Sequence, residues 1–312
     1  MGAVYERYGI PIGDPQSRES VAAAQGICPF VGTNCKKKAK GGVCSVTPTG
    51  LGTPVIICPN RLYERQFRFL REIAFEAIVS NQPDIFDLAR DGLPVLHKGP
   101  EVATAARKIG KVAVGAFGAN LGGELRLPKA SVDGASYSVD FVLTAITPEG
   151  ELLAIVPVEV QTIDTTNSYA SSVSAHELNG SVSPSNFGLN WENVSKRILP
   201  QLITKGLMLQ GERLCTRGMY FVTPKAVFDR IAARLGGLEA QRAIPHQPGA
   251  ITFLRYDYGE SNGAIPRPLE RVGNLTVSTS DMSLAFISPR NLPPAGAYES
   301  KLREKLKLPA VD

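Results

Sequence analysis

Histidine is scarce: the 312 residues contain three, His97, His176 and His246, far apart and in no HExxH, HNH-like or Ser-triad context. A two-histidine metal site and histidine-dependent nucleophilic catalysis are therefore not expected, and carboxylates must carry any acid–base or metal chemistry. Also missing is an apolar run near the roughly 20 residues that a membrane-spanning helix needs. The opening segment MGAVYERYGIPIGDP lacks a basic region followed by an apolar one, so it does not read as a signal peptide. Glu6 spoils the myristoylation pattern that Gly2 would begin. A cytoplasmic chain that stays off the membrane is expected. No G-x-x-x-x-G-K-[ST] and no well-spaced G-x-G-x-x-G occurs, so the glycines imply no phosphate loop. There is no internal repeat.

What is present is a globular composition, 43% apolar and 20% charged, enough for one large domain or an ordinary domain plus a small one. The net charge of +5 permits an anionic partner without demanding one. Its densest cluster is Lys36, Lys37, Lys38 and Lys40, which reads equally as a phosphate contact or as a solvated run. Arg61, Arg65, Arg68 and Arg71 interleave with Tyr63, Phe67 and Phe69 on an expected helix.

Four of the five cysteines, Cys28, Cys35, Cys44 and Cys58, follow a C-x6-C-x8-C-x13-C pattern among glycines. In a secreted chain they would form two disulfides; in a reducing compartment four soft thiolates suit a tetrahedral zinc or a single iron. Unrelated buried thiols are the bland alternative. Cys215 is expected to pack as a small apolar residue.

Residues 61–80 step apolar positions by three and four and predict an amphipathic helix, with Glu64 and Arg68 paired on its exposed side. A Pro/Gly-rich loop is expected over 91–100 and a helix over 101–109, with 111–117 a short strand or the end of that helix. SYSVDFVLTAI and ELLAIVPVEVQTI, joined by Thr147-Pro148-Glu149-Gly150, predict a β-hairpin. Its second strand is apolar from Leu152 to Val160, which predicts a central strand covered on both sides. Pro157 should mark a bulge or an unpaired edge there. Residues 165–190 read as a long loop and 190–210 as a helix with Pro200 kinking it or starting a new turn. Strands are expected over 218–222, 250–258 and 283–288. Helices are expected over AVFDRIAARLGG and the tail ESKLREKLKL.

Within the hairpin, Glu159 and Gln161 share a face and interrupt an apolar strand. A buried carboxylate needs a cation or a proton. Asp140, on the facing strand, falls beside Glu159, and two such carboxylates can hold a hard divalent cation such as Mg²⁺. The bland alternative is a surface Asp140 with Glu159 paired to an arginine.

The order of the four-cysteine segment, Gly-Gly-Glu124, Asp140 and Glu159-Val160-Gln161 resembles the NotI family of type II restriction endonucleases, within the PD-(D/E)XK nuclease superfamily. The likeness covers most of residues 25–165. It implies an α/β fold: a PD-(D/E)XK restriction-endonuclease-like core, a mixed β-sheet flanked by helices, with a small N-terminal four-cysteine metal-binding module. The expected division is a metal module over 1–65 and a nuclease domain over 66–312 that carries C-terminal recognition and dimerisation elements. The resemblance implies Cys28, Cys35, Cys44 and Cys58 as ligands of one structural Fe or Zn ion. It implies Asp140 and Glu159 as Mg²⁺ ligands, with the Val160 carbonyl a third, and Glu124 as an upstream acidic residue acting through water. Gln161 stands where the superfamily usually has lysine. An amide can orient water by hydrogen bonding but brings no positive charge. The implied activity is Mg²⁺-dependent cleavage of double-stranded DNA at a GC-rich palindromic site by a homodimer. Two alternatives remain: an Fe–S-containing repair or CRISPR-associated nuclease, and a non-catalytic four-cysteine DNA-binding protein.

Overall fold

Among the described residues, two larger sheets are built where apolar residues alternate or run on. The computed structural model describes residues 2–126, 137–288 and 294–309. Near the N-terminus, β1 (Ala3–Arg7), β2 (Ile10–Pro11), β3 (Val43–Thr47) and β4 (Val55–Ile56) form an antiparallel sheet in the order β2-β1-β3-β4. Two short helices, α1 (Gln16–Glu19) and α2 (Val21–Gln25), and the first two cysteines lie between β2 and β3.

The main sheet has seven strands: β5 (Leu96–Lys98), β6 (Ala113–Gly118), β7 (Phe141–Ile146), β8 (Leu152–Val160), β11 (Met219–Pro224), β12 (Ala250–Tyr258) and β13 (Leu269–Ser278). Their order is β13-β12-β11-β8-β7-β6-β5, mixed in direction, with β8 antiparallel to β7 and parallel to β11. A two-stranded ribbon, β9 (Thr165–Thr166) with β10 (Gly188–Leu189), stands apart.

Successive side chains point to opposite faces of a strand, and the two cores follow that parity. Phe141, Leu143, Val156, Val158, Val160, Tyr220 and Val222 pack with Leu70 and Ile73 of α3 (Glu64–Ala74). The opposite face, with Phe221, Ile251 and Phe253, is covered by α6 (Leu199–Leu209), α7 (Lys225–Arg234) and α8 (Thr279–Ile287). Val4, Val43, Val46 and Val55 of the N-terminal sheet join this second core. The molecule is thus a mixed α/β fold with helices on both faces of its large sheet. Helix α4 (Val102–Ile109) lies against β6. α5 (Ala170–Asn179) follows the ribbon's first strand, and α9 (Ala297–Leu306) forms the tail.

The β7–β8 hairpin holds, closed by Gly150 N–H donating to Thr147 O at 3.0 Å; Ser136 of its expected first run lies outside the described residues. Pro157 sits just before the first β8–β11 pair, Tyr220 with Val158, so its missing N–H costs the ladder little.

Several expectations are corrected. β8 is central, but Leu152 and Leu153 are exposed because the hairpin tip projects beyond its neighbours. The helix over 61–80 is broken: a 3₁₀ turn (Pro59–Tyr63) precedes α3, and Arg65, Gln66 and Phe67 hold a left-handed turn. That turn carries Glu64 away from Arg68, which pairs with Glu72 instead at 2.8 Å, while Glu64 meets Arg61. The loop over 91–100 contains β5, paired parallel to β6. The loop over 165–190 contains α5, closed by Gly180 in a left-handed cap. Residues 283–287 are helix, not strand: Ser278 caps α8 by accepting from Asp281 N–H at 3.3 Å, and Thr279 and Met282 are the residues it buries fully.

Candidate active site

The register of the hairpin makes the site. Phe141 pairs with Val158, so Asp140, one residue earlier, stands level with Glu159, one residue later. Phe141 and Val158 face α3; Asp140 and Glu159 therefore face the other layer, toward α6. Asp140 is held by the main chain of the opposite strand: its Oδ2 accepts from Val160 N–H at 2.8 Å. Burial raises the Asp140 carboxyl above its ordinary range, against the opposing pull of Val160 N–H, while Lys205 and Lys36 lower it and Glu124 raises it.

Glu159 is 8% exposed. Its Oε1 accepts from Lys205 Nζ at 2.6 Å, and its Oε2 is buried without a partner. Burial first, and the Asp140 charge second, push Glu159 up to about 7, although Lys205 pulls it down. A half-satisfied carboxylate beside a second one is the donor set that a hard cation completes. Among the described residues, no three His, Cys, Asp or Glu side chains converge tightly enough to mark a metal position as they stand.

Gln161 lies on the same face but is engaged locally. Its amide Nε2 donates to Thr162 O at 2.9 Å, its N–H donates to Val222 O at 3.0 Å, and its carbonyl accepts from Thr223 Oγ1 at 2.8 Å. Glu124 is exposed, just past the Gly118–Gly123 bridge that follows β6; its negative charge reaches Asp140. Tyr63 closes the α3 side of the site. Its ring meets Phe141 edge-on with centroids 5.3 Å apart, and burial raises its hydroxyl pKa, helped by Asp140 and Glu159.

The four cysteines pack in one neighbourhood, though not closely enough to mark a metal position as they stand. Cys28, Cys44 and Cys58 are buried in one small cluster with Phe30, Cys35 packs against it, and all are free thiols. Burial raises the Cys35, Cys44 and Cys58 thiols, and Cys28 adds to the rise at Cys35 and Cys58. Asn60 Nδ2 points at Cys28 Sγ, 3.7 Å away. Lys37 donates to the Ile57 carbonyl and so leaves the solvated charge run, while Lys36, Lys38 and Lys40 stay exposed. Cys215 is fully buried, with its thiol pushed up to about 11 by burial.

Lys205 is the residue that sequence reasoning passed over. It lies among Leu202, Ile203, Gly206 and Leu209, all buried on α6. A lysine at i+3 within an apolar stripe is a legible anomaly, because its charge needs a buried partner.

No protein-family model matches the chain, and no curated protein is significantly similar to it.

Proposed function

We propose that the chain is a Mg²⁺-dependent, site-specific endonuclease of double-stranded DNA, with a PD-(D/E)XK-type core and an N-terminal four-cysteine metal module resembling those of the NotI family. One observation carries the reading: Asp140 and Glu159 face the same layer from adjacent strands at the centre of a mixed sheet, and Glu159 keeps a buried, unpartnered oxygen. An acidic pair without a ligand is an expensive arrangement to bury, and a divalent cation repays it.

Asp140, Glu159 and the Val160 carbonyl would hold the Mg²⁺. When bound, that ion supplies Lewis-acid stabilisation of phosphate charge and acidifies water. The chain's own groups do the rest. Val160 N–H orients Asp140. Gln161 and Glu124 are assigned to position the attacking water by hydrogen bonding. Exposed Lys36, whose charge reaches Asp140, supports the phosphate-contact reading of the lysine cluster. Cys28, Cys35, Cys44 and Cys58 would hold one structural Fe or Zn ion. Such an ion keeps bound thiols deprotonated where burial alone favours the neutral form. A palindromic, GC-rich site, as the resemblance implies, calls for a homodimer with one active site per strand.

Asp140→Ala tests the reading. The variant should lose cleavage by at least about a hundredfold while binding DNA as the wild type does. Binding without cleavage by the wild type, in Mg²⁺ and across salt concentrations, would favour a non-catalytic DNA-binding protein. Non-specific degradation that the substitution abolishes would favour a repair-type nuclease.

A further inference from the structure

Gln161 leaves the carboxylate pair without a positive charge from its own strand, and its amide is turned onto the Thr162 carbonyl. The charge comes from elsewhere. Lys205 on α6, 46 residues from Glu159 in sequence, places its Nζ 2.6 Å from Glu159 Oε1, with its side chain 13% exposed. Its neighbours Leu202, Gly206 and Leu209 are buried, so the helix is anchored on both sides of the lysine. Gly206 fits against Thr279, where an added Cβ would lie 2.5 Å from Thr279 Oγ1, and this close approach presses α6 into the layer. The lysine root is thereby fixed, while four rotatable bonds leave its ammonium free to swing.

The ammonium meets one oxygen of Glu159 and leaves the other unpartnered. A structural ion pair at this depth should satisfy both lone-pair systems, since a half-satisfied buried carboxylate is costly. A pair arranged to be exchanged needs only one contact.

We propose that Lys205 is a built-in occupant of the cation position: it neutralises Glu159 until a divalent cation arrives, then transfers its ammonium to a non-bridging oxygen of the phosphate being cut. The displacement concerns this chain and a cation alone; the phosphate contact rests on the nuclease reading given above. Lysine binds phosphate as a point charge and needs no fixed fork geometry, which suits a group that must move.

The test compares wild type, Lys205→Met and Asp140→Ala. Mn²⁺ binding without DNA is followed by the EPR signal of the free ion, with Asp140→Ala giving the baseline for ions held elsewhere. Removing a competing unit charge a few ångströms away should tighten Mn²⁺ binding by on the order of tenfold. Single-turnover cleavage in Mg²⁺ should slow about a hundredfold, the usual loss for one donor to developing charge. Lys205→Arg should keep Mn²⁺ affinity close to wild type and recover part of the rate. Should Lys205→Met fail to fold, Lys205→Gln makes the same comparison with an amide that can still donate to Glu159. Unchanged or weaker Mn²⁺ binding in the neutral variant would overturn the displacement and leave Lys205 as a positioning partner of Glu159. Tighter binding with an unchanged cleavage rate would overturn the phosphate contact. A wild type that cuts no DNA would defeat the nuclease reading and the phosphate contact with it, while the Mn²⁺ comparison would still decide the displacement.

Discussion

Burial changes how a titratable group holds its proton, and His176 shows what that does to pH dependence. It is 2% exposed, with Nε2 2.7 Å from Ser17 Oγ. Burial, with the positive charge of Arg7 behind it, lowers its pKa below the ordinary 6.5. Above that value the ring is neutral folded and unfolded, and it adds no pH dependence. As pH falls below it, the unfolded chain takes up a proton that the folded chain refuses, so stability must fall, by at most about 1.4 kcal/mol per pH unit. Urea midpoints measured near pH 7.5 and near pH 5.5 should show this acid loss in the wild type and a smaller one in His176→Gln. An equal loss in both would place the acid sensitivity elsewhere. At the same scale, Asp140 and Glu159 were legible because carboxylates interrupt apolar β-runs, and the hairpin turn fixed which residues face each other. Lys205 was legible only as an interruption of a helical stripe. Its partner lies 46 positions away, and no local pattern names it.

Among the elements, the join between the N-terminal sheet and the main sheet combines apolar packing with one buried cation. Arg61 is fully buried. It pairs with Glu6 of β1 at 2.9 Å, and meets Glu64 of α3 and the Arg267 carbonyl just before β13. Tyr258 at the end of β12 donates to Glu6 Oε2 at 2.9 Å, and Arg61 lies over the Phe30 ring of the cysteine cluster. Arg61→Ala would strand Glu6 at 1% exposure. Loss of one partner from a buried pair costs about 3–5 kcal/mol, which urea unfolding of the variant should show. A loss below about 1 kcal/mol would mean that the join rests on apolar packing alone. Long, strongly patterned elements were readable: β12 spans the expected 250–258, and the β7–β8 turn lies at Thr147–Gly150. Short apolar runs were not. Leu284, Ala285, Phe286 and Ile287 suit strand and helix alike, and the Ser278 cap decides for helix. β13 escaped notice because its sequence LERVGNLTVS is largely polar, as an edge strand can be when only one neighbour pairs with it.

For the molecule as a whole, the seven-stranded mixed sheet with helices on both faces matches the expected architecture at the level of class. Among the described residues no helix is long and apolar enough to cross a membrane. The loop that joins Cys35 to Cys44 reaches the second core: Gly41 holds a φ of +70° and packs so closely on Val173 of α5 that a Cβ would clash at 2.3 Å. A metal there should therefore stabilise more than its own loop. Purified protein should carry about one Fe or Zn per chain, and Cys44→Ser should carry less. Chelation should lower the melting temperature by more than about 5 °C, since an ion bound only by the folded state stabilises it by mass action. Metal-free protein with an unchanged melting temperature would reduce the four cysteines to buried thiols.

Digestion of GC-rich genomic DNA in Mg²⁺, with the product ends sequenced and Asp140→Ala run alongside, tests the central claim most directly. Discrete fragments whose ends share one palindromic sequence, absent with the variant, are the expected result. No cleavage by folded, metal-loaded wild-type protein, across salt concentrations and divalent metals, would contradict it.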